Sequence, residues 1–194
     1  MLYNVDSVRV YPQKYDARDI NLGANDQGAD ATKNRWVTIP RTLCFILNGD
    51  AILLMKRSPH RRVFPNKYNG IGGHIERDED PFDGAIREIK EETGLDVHDV
   101  KLCAIHNIDA GHKSGIILFV FTAISDKREF VDNEKEGTLH WINREDLESV
   151  DLVEDLPIIL ERILNMPDNA PPLFVHVSYD THDEIRVRFN DRVV

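Results

Sequence analysis

The chain has 194 residues, 41% of them hydrophobic and 30% charged, enough for one soluble domain with additions and a full core. Its 34 acidic and 24 basic residues leave a formal net charge of −10, which excludes the basic face a protein needs to track a nucleic-acid backbone. No apolar run is long enough to cross a bilayer, and MLYNVDSVRV lacks the basic-then-apolar pattern of a secretion signal, so a cytoplasmic protein without a membrane partner is expected.

Residues 1–35 read as an N-terminal extension. VRVY at 8–11 has strand character, and NLGANDQGADATKN at 21–34 reads as a flexible loop. Residues 36–194 read as the folded domain. Trp36–Leu47 and Ala51–Arg57 are apolar, β-rich runs, and Asn48-Gly49-Asp50 between them signals a hairpin. Ser58–Lys67 carries two prolines and four basic residues and reads as a loop. Gly70, Gly72 and Gly73 then imply tight backbone geometry or close approach to a ligand.

A helix follows with clear ends: Asp80 as N-cap, Pro81 at the first position, Asp83 in the first turn, Gly94 as the stop. Phe82, Ala85, Ile86 and Ile89 are expected on its core face. Strands are expected at Lys101–Ile108, Ile116–Ile124 and Gly137–Ile142, and helical segments at Arg144–Val150 and Asp155–Asn165. Phe174–Ser178 and Ile185–Phe189 flank a polar turn, Asp180–Asp183, and suggest a terminal hairpin. Strands interleaved with helices point to an α/β or α+β sandwich. Cys44 and Cys103, each in an apolar run, read as buried reduced thiols.

Residues 73–95, GHIERDEDPFDGAIREIKEETGL, carry the chemistry. Glu88, Glu91 and Glu92 stand at i, i+3 and i+4, on one face of the helix and opposite in character to the core stripe. Like charges at that spacing repel, and hard oxygen ligands suit Mg²⁺ or Mn²⁺. Such a cation would also let an acidic protein accept an anionic phosphate.

The segment resembles the Nudix box at every fixed position: Gly73, then Glu79, then Arg87-Glu88-Ile89-Lys90-Glu91-Glu92-Thr93-Gly94-Leu95. The likeness is looser over residues 36–160 and weak before residue 36. It implies an α/β (α+β) Nudix fold for residues 36–194, with a mixed β-sheet sandwiched between helices, here carrying an extra C-terminal β-hairpin. It implies Mg²⁺- or Mn²⁺-dependent hydrolysis of a nucleoside diphosphate linked to another group. Family members use the residues matching Glu88, Glu91 and Glu92 as metal ligands, with a carbonyl from the first glycines, here Gly72 or Gly73. Glu136, five residues before Trp141, matches a further metal-binding glutamate of MutT-like enzymes; a solvated loop glutamate is the other reading. Arg87 is implied to fix Glu79 or a box glutamate, and which carboxylate serves as general base varies among members. His74 is read either as a substrate or metal contact or as a hydrogen-bonded loop residue. Lys56 and Arg57 end a strand near the site and either bind phosphate or snorkel; Arg61 and Arg62 are expected to face water.

Asn69-Gly70-Ile71-Gly72-Gly73 is similar to a segment of the oxidised-purine nucleoside triphosphatases. There, the residue matching Asn69 reads the purine edge; support of the turn before Gly70 is the alternative. Glu154 and Asp155 stand where that subgroup has a base-holding acidic pair, but Leu152 replaces its tryptophan, which weakens the case for 8-oxo-dGTP. The expected activity is conversion of a nucleoside triphosphate to monophosphate and pyrophosphate. The alternatives are hydrolysis of ADP-ribose, a dinucleotide or a nucleotide sugar, and a non-catalytic ligand-sensing Nudix module, against which the complete box argues. Isopentenyl diphosphate isomerase shares the fold, but its cysteine before the box has no counterpart in Tyr68–Gly73. A nucleotide is the implied small-molecule partner, and a homodimer is compatible with the resemblance.

Overall fold

The computed structural model describes residues 28, 35–131 and 136–190. The strand at 8–11 and, apart from Gly28, the loop at 21–34 lie outside these. The unit described below begins at Val37. Strand β1 (Val37–Asn48) turns through Gly49-Asp50 into β2 (Ala51–Arg57), with Asn48 opposite Ala51. Gly49 takes the left-handed conformation, φ 59°, which makes so short a connection possible. After Leu53 the two strands part. The gap is filled by β3 (Tyr68–Asn69), which pairs with Met55 and Lys56, and by the following glycine-rich segment, which pairs with β1 through Cys44–Ile71 and Arg41–His74 bridges. This wedge sets the glycines beside the centre of the sheet.

Helix α1 (Pro81–Thr93) comes next, then β4 (His98–Asp109), β5 (Ser114–Ile124), β6 (Gly137–Asn143), a 3₁₀ turn at Arg144–Ser149, helix α2 (Leu156–Leu164), β7 (Leu173–Tyr179) and β8 (Ile185–Phe189). The sheet runs β3-β2-β1-β5-β4-β7-β8, with β6 along the far edge of β2. β1 lies parallel to β5 and β4 parallel to β7; the other pairings are antiparallel.

The sheet is mixed and covered on both faces, and the two-residue repeat of the strands divides the core. Leu43, Phe45, Ile52 and Leu54 pack under α2 with Leu156, Ile159, Leu160 and Ile163. Cys44, Ile46, Leu53 and Met55 pack under α1 with Ala85 and Ile89. Burial on both sides explains why β1 and β2 read as unbroken apolar runs rather than alternating ones.

Three expectations are corrected. Phe82 and Ile86 are exposed, at 44% and 38%, because α1 seats its small residues, Gly84 and Ala85, with Ile89 and Thr93 against the sheet. Within the expected Arg144–Val150, residues Arg144–Ser149 form a 3₁₀ turn rather than an α-helix, with no residue of it buried. Helix α2 spans Leu156–Leu164, one residue inside each end of the expected Asp155–Asn165, with Asp155 ahead of it in a helical conformation. The C-terminal hairpin forms as expected, Tyr179 opposite Ile185.

Candidate active site

Helix α1 is placed by its caps. Asp80 accepts from Phe82 N at 2.8 Å and Asp83 N at 3.0 Å, and Gly94, at φ 71°, closes the other end by donating to Lys90 O. The helix therefore lies with its polar face along the Gly70–His74 segment. That segment is tied to β1 by Thr42 N–H to Gly73 O at 2.9 Å and Cys44 N–H to Ile71 O at 2.6 Å. A Cβ on Gly73 would sit 2.7 Å from Glu88 Cδ, so a side chain there would displace the Glu88 carboxylate. Gly72 is the more constrained of the two, since its Cβ would run into the Thr42 backbone and its φ is 149°.

Arg87 organises the acidic residues. Its Nε and Nη2 donate to both oxygens of Glu79 at 3.0 and 2.7 Å, a bidentate pair. Nη1 donates to Glu88 at 3.0 Å and to Glu91 at 3.1 Å, and Nη2 also reaches His74 O at 3.0 Å. Glu79 in addition accepts from Glu76 N–H at 2.8 Å. The Arg87 pairing, helped by Glu76 N–H, holds the Glu79 carboxyl down at about 2. The same pairing pushes the Arg87 guanidinium above its usual range. Glu79 and Glu88 have side chains only 13% and 14% exposed, whereas Glu91 is 60% exposed.

Glu92 lies apart from Arg87's reach. It accepts from Gly72 N–H at 3.2 Å. Burial pushes its carboxyl up to about 7, the charges of Glu88 and Glu136 add to this, and Gly72 N–H and Arg57 oppose it. Glu88 is also raised by burial, against the pull of Arg87. Cys44, 4.0 Å from Ala85 O on the buried side of the helix, has its thiol pushed up by burial and by Glu92 and Glu88, which marks it as an inert core residue.

Glu136 stands where β6 begins, its carbonyl accepting from Ser58 N–H at 3.1 Å. It is paired with Arg61 at 2.5 Å, and Arg61 stays exposed, as expected, while making that pair. Arg62 is exposed. Arg57 donates from Nε to Val63 O at 2.9 Å, and Lys56 lies 5.8 Å over the Tyr68 ring. Burial and Arg61 hold the Arg57 guanidinium below its usual value. Asn69 turns its Oδ1 to its neighbour Gly70 N–H at 2.9 Å, bracing the turn. Glu154 and Asp155 are brought to the same end of the sheet, because Val153 N–H donates to Tyr68 O and Tyr68 N–H to Asp151 O, at 3.0 and 2.8 Å. Burial and the charge of Glu154 raise the Asp155 carboxyl.

The donor set fits a hard divalent cation: oxygen ligands only, a glycine cradle that a Cβ would fill, and acidic groups that raise one another. Among the described residues, no three acidic, imidazole or thiol groups stand together as a metal centre would need. The bonds from Arg87 to Glu88 and Glu91 are what a cation would replace. Gly73 O keeps one lone pair beside its bond from Thr42.

This geometry stands beside a family match. The model of the NUDIX domain matches residues 37–163. The chain belongs to the Nudix hydrolase family, whose members act on phosphoanhydride bonds. It is 32% identical over 120 residues to the nucleoside triphosphatase NudI of Enterobacter sp. (strain 638), covering 56% of this chain and 84% of that one. It is 42% identical over 73 residues to the m7GpppN-mRNA hydrolase NUDT17 of Danio rerio, covering 38% of this chain but only 24% of that protein. The crystal structure of the MutT protein of Bacillus halodurans superposes with a TM-score of 0.67 at 23% identity, over 79% of this chain and 99% of that one, and shows the shared fold. As a Nudix protein the chain carries its box on α1 and the preceding loop, while β7 and β8 lie beyond the matched residues.

Three features of the site were not read from the sequence. Thr42 clamps Gly73 O, and Arg41 and His106 are partly or wholly buried without partners for their ring or Nε nitrogens. Charged or imidazole residues inside apolar strand runs were the available signal.

Proposed function

We propose that this Nudix protein is a divalent-metal-dependent nucleoside triphosphate pyrophosphohydrolase that releases a nucleoside monophosphate and pyrophosphate. The observation that carries the reading is the crowding of Glu88 and Glu92 against Gly72–Gly73, with Glu136 across from them. Burial and the charges of Glu88 and Glu136 raise the Glu92 carboxyl, and a cation bridging these carboxylates to phosphate oxygens would relieve that repulsion. Glu88, Glu92 and Glu136 would hold Mg²⁺ or Mn²⁺, with Glu91 available once released from Arg87. The bound cation would neutralise phosphate charge and activate water. Arg87 and Glu79 position the carboxylates. Arg57, half-buried at the end of β2, faces the same acids and suits a phosphate oxygen. The relation to NudI, named a nucleoside triphosphatase, supports the substrate class. An oxidised purine nucleotide such as 8-oxo-dGTP is the leading candidate within it, with Asn69 and the Glu154–Asp155 pair at the base end.

The second reading is cleavage of a longer nucleoside diphosphate derivative, including ADP-ribose, dinucleotides, nucleotide sugars and capped nucleotides. It is favoured by the relation to NUDT17, a m7GpppN-mRNA hydrolase by name. A nucleotide panel incubated with Mg²⁺ decides between them. Pyrophosphate with a nucleoside monophosphate supports the triphosphatase; two phosphomonoesters support the second reading; no hydrolysis of any member defeats both.

A further inference from the structure

The loop between β2 and β3, Ser58–Lys67, is folded back onto the end of β2. Arg57 N–H donates to Lys67 O at 3.0 Å, Asn66 N–H donates to Arg57 O at 3.1 Å, and Arg57 Nε donates to Val63 O at 2.9 Å. Two residues of the loop take the left-handed conformation without being glycine, Phe64 at φ 49° and Asn66 at φ 64°. Asparagine adopts it readily; a bulky aromatic does so only where its surroundings impose it. The Phe64 ring meets that constraint by packing against the core under α2. Backbone strain of this kind gathers at ligand clamps, and here it fixes the loop that carries Arg61.

Arg61 reaches from that loop to Glu136. Its Nη2 pairs with Glu136 Oε2 at 2.5 Å, and its Nη1 stands 3.5 Å from Oε1. Glu136 is brought within reach by the start of β6, where Gly137 lies opposite Arg57 so closely that a Cβ would run into the Lys56 backbone. Both side chains keep access to solvent, at 42% and 31% exposed. An exposed pair of this kind is weak and exchanges readily. With both oxygens facing the guanidinium, Glu136 cannot serve a metal ion until Arg61 lets go. Release leaves Arg61 beside Arg57, on which its charge already acts. Among the described residues the Arg57 side chain bonds only through Nε, so its terminal nitrogens remain available. Two neighbouring guanidiniums attract an anion, and the planar fork of arginine matches a phosphate.

We propose that Arg61 is a phosphate-binding residue held in reserve by Glu136: it leaves that carboxylate when a metal ion takes it, and joins Arg57 on the phosphate chain of the substrate. This rests on the metal-dependent reading above and adds how cation loading and phosphate binding are coupled. Arg61 opposes the binding of metal alone and favours the complex of metal with phosphate. Those opposite effects distinguish it from a plain surface cation, for which the exposed neighbour Arg62 is the control.

Mn²⁺ binding to the full chain is measured by the relaxation of water protons, and binding of inorganic pyrophosphate to the Mn²⁺-loaded chain by calorimetry. The wild type is compared with Arg61→Gln, Arg61→Lys and Arg62→Gln. Arg61→Gln should bind Mn²⁺ about threefold more tightly, having lost the competitor for Glu136. It should bind pyrophosphate about tenfold more weakly, having lost a charge-assisted contact. Arg61→Lys, which keeps the charge without the fork, should fall between, and Arg62→Gln should match the wild type in both. Two affinities that move in the same direction in Arg61→Gln would mark a merely structural residue and overturn the proposal. So would an Arg61→Gln indistinguishable from the wild type, or an Arg62→Gln that reproduces its effects. A wild type that takes up no Mn²⁺ would sink the proposed function together with this coupling. Opposite shifts in a chain that hydrolyses no nucleotide would instead fault the reaction and leave the role of Arg61 standing.

Discussion

At the scale of single residues, the site depends on atoms that are absent as much as on those present. Gly73 leaves room for the Glu88 carboxylate, and a methyl group there would displace it. Gly73→Ala should therefore lower kcat by about 10²-fold or more, since small misplacements of positioning groups carry that cost. The thermal midpoint should move little, because Gly73 is only half-buried. A variant with wild-type kcat would show that Glu88 has no part in the reaction. Glu91→Gln keeps the shape of a mostly exposed side chain while removing its charge. It should nearly abolish turnover with the far-ultraviolet circular dichroism unchanged, and full activity would remove Glu91 from the machinery. The box carboxylates were legible from their spacing. What the spacing could not tell is that Arg87 would bind Glu79, Glu88 and Glu91 together, because that depends on the loop before the helix folding back upon it.

At the scale of elements, α1 was legible almost to the residue. Caps are local: Asp80, Pro81 and Gly94 specify the ends whatever the helix packs against. Asp80→Ala removes two hydrogen bonds and should cost about 1 kcal/mol of unfolding free energy, measured by urea titration. A cost near zero would mean that the helix start is held by packing alone. The helix face was misread for a physical reason. The apolar stripe is wider than the contact, and Gly84 and Ala85 let the helix approach so closely that Ile86 is left exposed and Phe82 only edges against Phe121 at its rim. The short 3₁₀ turn at 144–149 was taken for an α-helix because three residues per turn and 3.6 hardly differ over six residues.

At the scale of the whole molecule, a half-buried carboxyl and a buried imidazole oppose each other. Glu92 has its folded value raised to about 7 from an ordinary 4.5. Its contribution is intact below pH 4.5 and is lost as pH rises through about 7. His106 has its folded value lowered to about 4 from 6.5, so its contribution is intact above pH 6.5 and is lost as pH falls toward 4. The wild-type stability curve is therefore a compound of both. Glu92→Gln should flatten the loss between pH 4.5 and 7, by on the order of 1–2 kcal/mol after solvent screening. Millimolar Mg²⁺ should stabilise the wild type more at pH 7.5 than at pH 5.5, because a ligand carboxylate must lose its proton to bind. Thermal midpoints at the two pH values, with and without Mg²⁺, check both statements. Equal Mg²⁺ effects in wild type and Glu92→Gln would exclude Glu92 as a ligand.

Composition, turn residues, helix caps and the spacing of the box are written in short stretches of chain, and each acts through neighbours a few residues away. From them the sequence alone determined the order of elements, the first and last hairpins of the described chain, the family and the acidic cluster of its box. The partners of Arg87, the pairing of Arg61 with Glu136, and the alignment of Arg41 with His106 across β5 were decided only by the tertiary structure. Apart from Glu88 and Glu91, the near neighbours of Arg87, they join residues 8 to 75 positions apart, and those contacts follow from strand register and helix placement, which no local pattern encodes.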